Sequence, residues 1–205
     1  MDTREFLQHG AEQLNQSFSN NQLDQLLDYV ALIQTWNKAY NLVGTSDTKS
    51  LIQKHILDSL AIVPYVTKSP VLDVGSGAGL PGIPLAIMLP DISFTLLDSN
   101  GKKARFMRQV VIQLKLENVE ILQTRIEQFE AEILPKTVLS RAFAPLEKAL
   151  ELLASVCEHR GLIQIMLGTY PKQLPSNKDV SHIDVLPIVV PGLDSNRHLL
   201  IAQRD

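Results

Sequence analysis

Val71-Leu72-Asp73-Val74 is a short apolar stretch carrying one acid. It runs straight into Gly75-Ser76-Gly77-Ala78-Gly79 and then into Leu80-Pro81-Gly82-Ile83-Pro84. Glycines alternating after a buried strand accept backbone angles that other residues adopt only at a cost, and they let bare backbone approach a ligand. The spacing narrows the choice of ligand. A dinucleotide fingerprint needs its third glycine three residues after the second, where this chain has Leu80; here the third is Gly79. A nicotinamide cofactor is therefore disfavoured. The simpler alternative is a glycine turn that only lets a helix pack close to a strand.

Further candidates follow other apolar stretches. Asp98 closes Phe94-Thr95-Leu96-Leu97, where an acid can accept from ribose hydroxyls or open the helix expected at Gly101. In Thr124-Arg125-Ile126-Glu127, Ile126 could lie under an adenine ring with Glu127 at its amino group; equally, Glu127 could be a first-turn acid suiting a helix dipole. Arg141 ends Thr137-Val138-Leu139-Ser140, at the strand end where ligands bind in such sheets. Arg197 precedes the last strand, and spacing does not say which end it reaches. Lys102, Arg105 and Arg108 form a stripe opposite Met107, Val110, Val111 and Leu114, either an RNA contact or a solvated face. His55, Asp58 and Ser59 share one helix at steps of one to four, so they cannot converge as a catalytic triad, although His55 and Asp58 fit an i,i+3 pair. The five histidines are scattered and the lone Cys157 packs as a small apolar residue, so no metal site is expected.

The elements that must position these residues change period near Pro70. Leu23, Leu26, Leu27, Val30, Ile33 and Trp36 recur at helical steps, and 51–63 reads as a further helix stopped by Pro64. Beyond it, strands are expected at 70–74, 93–97, 119–123, 137–141 and 161–167, alternating with helices at 81–89, 101–115, 125–132 and 145–158. That alternation predicts an α/β fold with a parallel sheet. Strands at 183–190 and 198–203, joined through Pro191-Gly192, predict a closing antiparallel hairpin at the sheet edge. We expect a helical extension over 1–66 packed on a core over 67–205.

With 205 residues and 45% hydrophobic content the chain can bury one sizeable core. A single cysteine fits a reducing compartment, and neither a signal pattern at Met1-Asp2-Thr3-Arg4-Glu5 nor a spanning apolar run is visible, which predicts a cytoplasmic protein without membrane contact. A net charge of −3 confines any nucleic-acid binding to local basic clusters.

An acid followed by Gly-x-Gly-x-Gly resembles the first motif of Rossmann-like (class I) S-adenosylmethionine methyltransferases. The chain as a whole resembles the bacterial small-subunit ribosomal RNA guanine-N7 methyltransferases, also called glucose-inhibited division protein B. Six ordered segments carry the likeness: 36–42, 55–59, 73–84, Leu97-Asp98-Ser99, Ser140-Arg141-Ala142-Phe143-Ala144 and Arg197-His198-Leu199. The resemblance implies S-adenosylmethionine as cofactor, contacted at Gly75, Leu80, Ile126, Glu127 and Arg141; we add Asp73, Gly77 and Asp98 to that set. It implies 16S rRNA or the 30S subunit as partner of a monomeric enzyme, methylated at N7 of one guanine in the decoding region. Arg125, Arg141 and Arg197 match the family's basic positions for RNA, and Lys102 and Arg105 are further RNA candidates. Leu167 stands where the family usually has lysine. Guanine N7 offers an exposed lone pair, so catalysis should be positioning, centred on Arg141, without a general base. The alternatives are a small-molecule methyltransferase or an inactive cofactor-binding protein.

Overall fold

A computed structural model describes residues 2–141 and 143–205; Met1 and Ala142, the latter within one of the family segments, lie outside the described residues. Seven strands form one sheet: β1 (Val71–Val74), β2 (Phe94–Leu97), β3 (Val119–Leu122), β4 (Thr137–Arg141), β5 (Leu162–Leu167), β6 (Val180–Ile188) and β7 (Arg197–Arg204). Their order is β3-β2-β1-β4-β5-β7-β6. β1 to β5 run parallel, while β7 is antiparallel to β5 and β6 antiparallel to β7. The expected hairpin is therefore present, with its second strand inserted next to β5 and its first at the edge. Strand order reverses between β1 and β4, and in open α/β sheets such a reversal leaves a crevice beyond the carboxyl ends.

Helices α1 (Thr3–Gln13), α2 (Asn20–Tyr40), α5 (Gly82–Met88) and α6 (Gly101–Leu114) cover one face, where Leu7, Leu26, Ile33, Ile83, Phe106 and Leu139 share a single apolar cluster. α7 (Leu146–Val156) covers the other, packing Leu150 and Leu153 against Leu72, Val138 and Ile163. Two helix starts follow the capping-box rule, Asp2 with Glu5 and Ser19 with Gln22. The helix expected over 51–63 begins earlier, as α3 (Thr48–Leu51), and passes through a π-helical segment, Ile52–Leu57, into α4 (Asp58–Leu60). A π segment is uncommon and frequently marks a functional position. This one carries His55.

One expected helix is missing. Instead of 125–132, only a 3-10 turn, Ile126–Gln128, forms, and Phe129 is already extended with φ −73° and ψ 123°. The cause is the path. β3 and β4 are three strand spacings apart in the sheet, about 14 Å, and the link must also return the length of a strand. Extended backbone advances about 3.3 Å per residue against 1.5 Å in a helix, so the short link runs mostly non-helical.

Candidate active site at the strand-order reversal

The glycine loop begins where β1 stops. Gly75, Gly77 and Gly79 all have positive φ (70°, 61° and 87°), the left-handed region that only glycine enters without strain. Gly75 also has no space for a side chain, because a Cβ there would sit 2.6 Å from Cβ of Phe143. Gly77 is different: nothing lies within 3.9 Å of its would-be Cβ, so its requirement is conformational alone.

Three of the bonds that hold this loop come from distant or buried side chains. The Gly82 amide donates to Oδ2 of Asp73 (2.9 Å), the Gly77 amide donates to Oδ2 of Asp98 (2.9 Å), and the hydroxyl of Tyr29 donates to the Ala78 carbonyl (2.6 Å). Asp73 is fully buried with Oδ1 unpartnered, and burial pushes its carboxyl up to about 7 although the Gly82 amide pulls the other way. Asp98 also accepts from the Asn100 amide (2.8 Å). The cap of α6 is Asn100, not Asp98 or Ser99, since its Oδ1 accepts from the Lys102 amide. Tyr29 has no sequence signal of its own beyond the apolar stripe of α2. It reaches the loop only because α2 packs over α5.

Beyond the loop opens a cleft of about 510 Å³, walled by Gly75, Asp98, Lys103, Arg125, Ile126, Glu127 and Phe143 among others. Five of the expected site residues meet here: Gly75, Asp98, Arg125, Ile126 and Glu127. Ile126 is buried, whereas Arg125 and Glu127 are exposed. Asp73, Gly77 and Leu80 do not line the cleft; Asp73 and Gly77 are held in the loop by the bonds above, and Leu80 packs into the core. Lys103, Phe143 and Lys148 also line it; no local spacing singles them out, and Phe143 enters the sequence reading only as part of a family segment. Lys102 and Arg105 lie exposed on the outer face of α6, with the Lys102 ammonium 6.0 Å from the ring centre of Tyr40.

Arg141 is not part of that lining. Side chains alternate along β4, so Arg141 shares the face of Leu139, the one covered by the amino-terminal helices. There it meets the π segment. Arg141 Nη1 donates to Oδ2 of Asp58 (3.1 Å), and Nη2 faces Nδ1 of His55 (3.1 Å). From β7, Arg197 Nε donates to Oδ1 of the same carboxylate (3.0 Å). His55 and Asp58 are thus brought together through Arg141. Asp58 is 3% exposed, and burial raises its pKa against the pull of both guanidinium groups. Burial, helped by Arg141, lowers His55 to about 4. The four side chains and Lys54, Met166, Leu167 and Gly168 enclose a second cavity of about 310 Å³. The larger groove by Gln22, Gln25 and Asn118, about 680 Å³, lies at the amino ends of the strands. The amides of those three residues donate to backbone carbonyls there, so the groove is a packing seam.

Cleft and cavity flank the end of β4, with Arg141 facing one and Phe143, two residues on, facing the other. Comparison with known proteins gives this arrangement a relationship. A family model described as rRNA small subunit methyltransferase G matches residues 22–200. The chain belongs to that family. The ribosomal RNA small subunit methyltransferase G of Marinobacter nauticus is 44% identical over 202 residues, covering 97% of this chain and 94% of that protein. Its counterpart in Vibrio vulnificus is 43% identical, covering 94% and 93%. Among solved structures, magnesium protoporphyrin IX methyltransferase from Synechocystis, with bound S-adenosylmethionine, superposes with a TM-score of 0.58 at 14% identity, over 87% of this chain and 98% of that one. An rRNA methylase from Streptococcus thermophilus gives 0.51 at 15%, over 72% and 94%. These two establish the Rossmann-like class I fold. For a member of this methyltransferase family the cofactor is S-adenosylmethionine. The cleft suits it: Gly75 borders it with bare backbone, Asp98 and Glu127 offer acceptors for hydroxyl and amino groups, and Ile126 offers an apolar wall.

Proposed function

We propose that this chain methylates N7 of a single guanine in the decoding region of 16S rRNA. The observation that carries the reading is the pairing of a glycine-walled cofactor cleft with a separate cavity across the end of β4, rich in cations from Lys54, Arg141 and Arg197. The first would hold the methyl donor at Gly75, Asp98, Ile126 and Glu127. The second is placed to receive a nucleotide, whose phosphate and base acceptors suit donor-bearing walls. The names of the relatives support ribosomal RNA of the small subunit as the substrate class.

When bound, S-adenosylmethionine supplies an electrophilic methyl group. The chain's part is positional. Asp58 fixes Arg141 and Arg197 by one hydrogen bond each, so two guanidinium groups present their remaining N–H groups in a set geometry. Nδ1 of His55 and both carboxylate oxygens of Asp58 already face arginine donors, so neither side chain is poised as a general base. That suits attack by a ring nitrogen whose lone pair needs no deprotonation. Arg125, on the cleft wall, and Lys102 and Arg105, on the outer face of α6, extend the basic surface toward which an RNA strand would run. We place the enzyme in the cytoplasm as a monomer.

Tritium transfer from labelled cofactor to undermethylated small ribosomal subunits tests the reading. N7-methylguanine is cationic and labile, so reduction followed by amine treatment should cut the 16S rRNA at one position. Label in a pyrimidine, or cuts at several guanines, would refute it.

A further inference from the structure

The second cavity has a property beyond its charge: the polar side-chain groups it offers are donors. Lys54 and both arginines can only donate. The acceptor oxygens of Asp58 are turned to Arg141 and Arg197. His55 is the informative member. Arg141 has no acceptor, so the ring nitrogen facing it at 3.1 Å must be the unprotonated one. The proton of the neutral ring is then on Nε2, which makes no side-chain hydrogen bond among the described residues, although the Lys54 backbone also acts on the ring as a hydrogen-bond partner. The tautomer of a residue from the π segment is thus set by an arginine 86 positions away.

We propose that His55 reads the acceptor base, donating its Nε2–H to the exocyclic oxygen of guanine. The major-groove edge of guanine presents two acceptors, N7 and O6, whereas adenine presents N7 beside an amino donor. In this cavity an adenine amino group would meet the donors of Lys54, His55, Arg141 and Arg197, and an unmade buried hydrogen bond discriminates more strongly than any apolar contact. A neutral reader also suits the chemistry. Methylation at N7 leaves the purine positively charged, and a cation on O6 would oppose that charge, whereas an uncharged imidazole does not. Burial and the neighbouring Arg141, Lys54 and Arg197 hold His55 neutral, with its pKa near 4. Phosphate could engage the same donors, so the test separates base from backbone. The inference rests on guanine-N7 methylation as proposed above.

The experiment uses small subunits reconstituted with 16S rRNA whose target guanine is replaced by 2-aminopurine, which keeps N7 and the phosphates but lacks O6. The wild-type chain should methylate this substrate about 30-fold more slowly than guanine. His55→Ala should slow methylation of guanine by a similar factor and leave the 2-aminopurine rate at the wild-type value, since the donor has nothing there to bind. His55→Gln, which keeps an amide donor, should recover part of the guanine rate. Cofactor affinity measured by calorimetry should be unchanged in both variants, showing them folded, because His55 lies outside the cleft. If His55→Ala slows both substrates equally, the contact is to phosphate or is merely structural, and the proposal is overturned. It is also overturned if wild-type protein methylates 2-aminopurine as fast as guanine. Mapping of wild-type label to an atom other than guanine N7 would instead overturn the underlying function.

Discussion

Asp58→Asn isolates the joint on which the second cavity depends. The carboxylate, with 4% of its side chain exposed, accepts from Arg141 at 3.1 Å and from Arg197 at 3.0 Å, and those side chains are 22% and 23% exposed. A hydrogen bond to a charged group contributes about 1.5–3 kcal/mol, so the two together contribute about 3–6 kcal/mol. Asparagine keeps one neutral acceptor, worth about 1 kcal/mol, and turns its amide toward the other guanidinium, donor against donor. Two effects reduce the loss. Burial disfavours the carboxylate, as its raised pKa records, and water can reach arginines that are a fifth exposed. The net cost should be about 2–3 kcal/mol, below the 3–5 kcal/mol typical of a fully buried pair losing one partner. For a chain of this size that lowers Tm by about 5–10 °C. Methylation measured well below Tm should fall about 100-fold in kcat/KM, the scale expected when a positioning group shifts by about 1 Å. Cofactor affinity should hold, since Asp58 does not line the cleft. Asp58→Glu should restore part of the rate because it returns the charge. A variant with wild-type Tm and wild-type kcat/KM would refute the reasoning, as would a loss of cofactor affinity matching the loss of rate.

Three further outcomes are expected. Tyr29→Phe removes the donor to the Ala78 carbonyl, so calorimetry should show cofactor affinity weakened about five- to tenfold and stability lowered by about 1 kcal/mol. Gly75→Ala should abolish cofactor binding, through positive φ and a Cβ 2.6 Å from Phe143, whereas Gly77→Ala, with only the φ of 61° to strain it, should cost about 1–2 kcal/mol and retain measurable binding. His55 titrates near 4 when folded against 6.5 when unfolded, so its contribution is complete above 6.5 and is lost as pH falls from there toward 4. Asp73, raised to about 7 from 3.8, acts oppositely, its contribution lost as pH rises through that window. Urea titrations of wild type and His55→Gln at pH 7.5 and pH 5 isolate the first: the variant should lose less stability between the two, and equal losses would contradict it.

Much of the cofactor side was legible in the chain. The strand Val71–Val74, the alternating glycines and the acid at Asp98 are local features, and local spacing carries them because β1, the loop and α5 are consecutive. Short apolar runs located the strands, and period 3.6 patterns most helices, for the same reason. The 125–132 stretch failed because its local pattern, with Ile126, Phe129 and Ile133 on one helical face, was overridden by the distance the link must cover from β3 to β4.

The second cavity belongs to the tertiary structure alone. His55 and Asp58 look like an ordinary i,i+3 pair, and Arg141 and Arg197 look like isolated charges at strand ends. Sequence separations of 86, 83 and 139 residues join them, and no spacing rule reaches across such intervals. What decides their meeting is the alternation that puts Arg141 on the face of Leu139, the insertion of β7 beside β5, and the packing of the amino-terminal helices over that face. The same packing brings Tyr29 to the glycine loop and gives Arg125 to the cleft while Arg141 goes to the cavity. Sequence spacing determined which residues could bind a cofactor, because a loop's conformation is a local property. Which residues would enclose the neighbouring cavity was decided only when distant segments packed together.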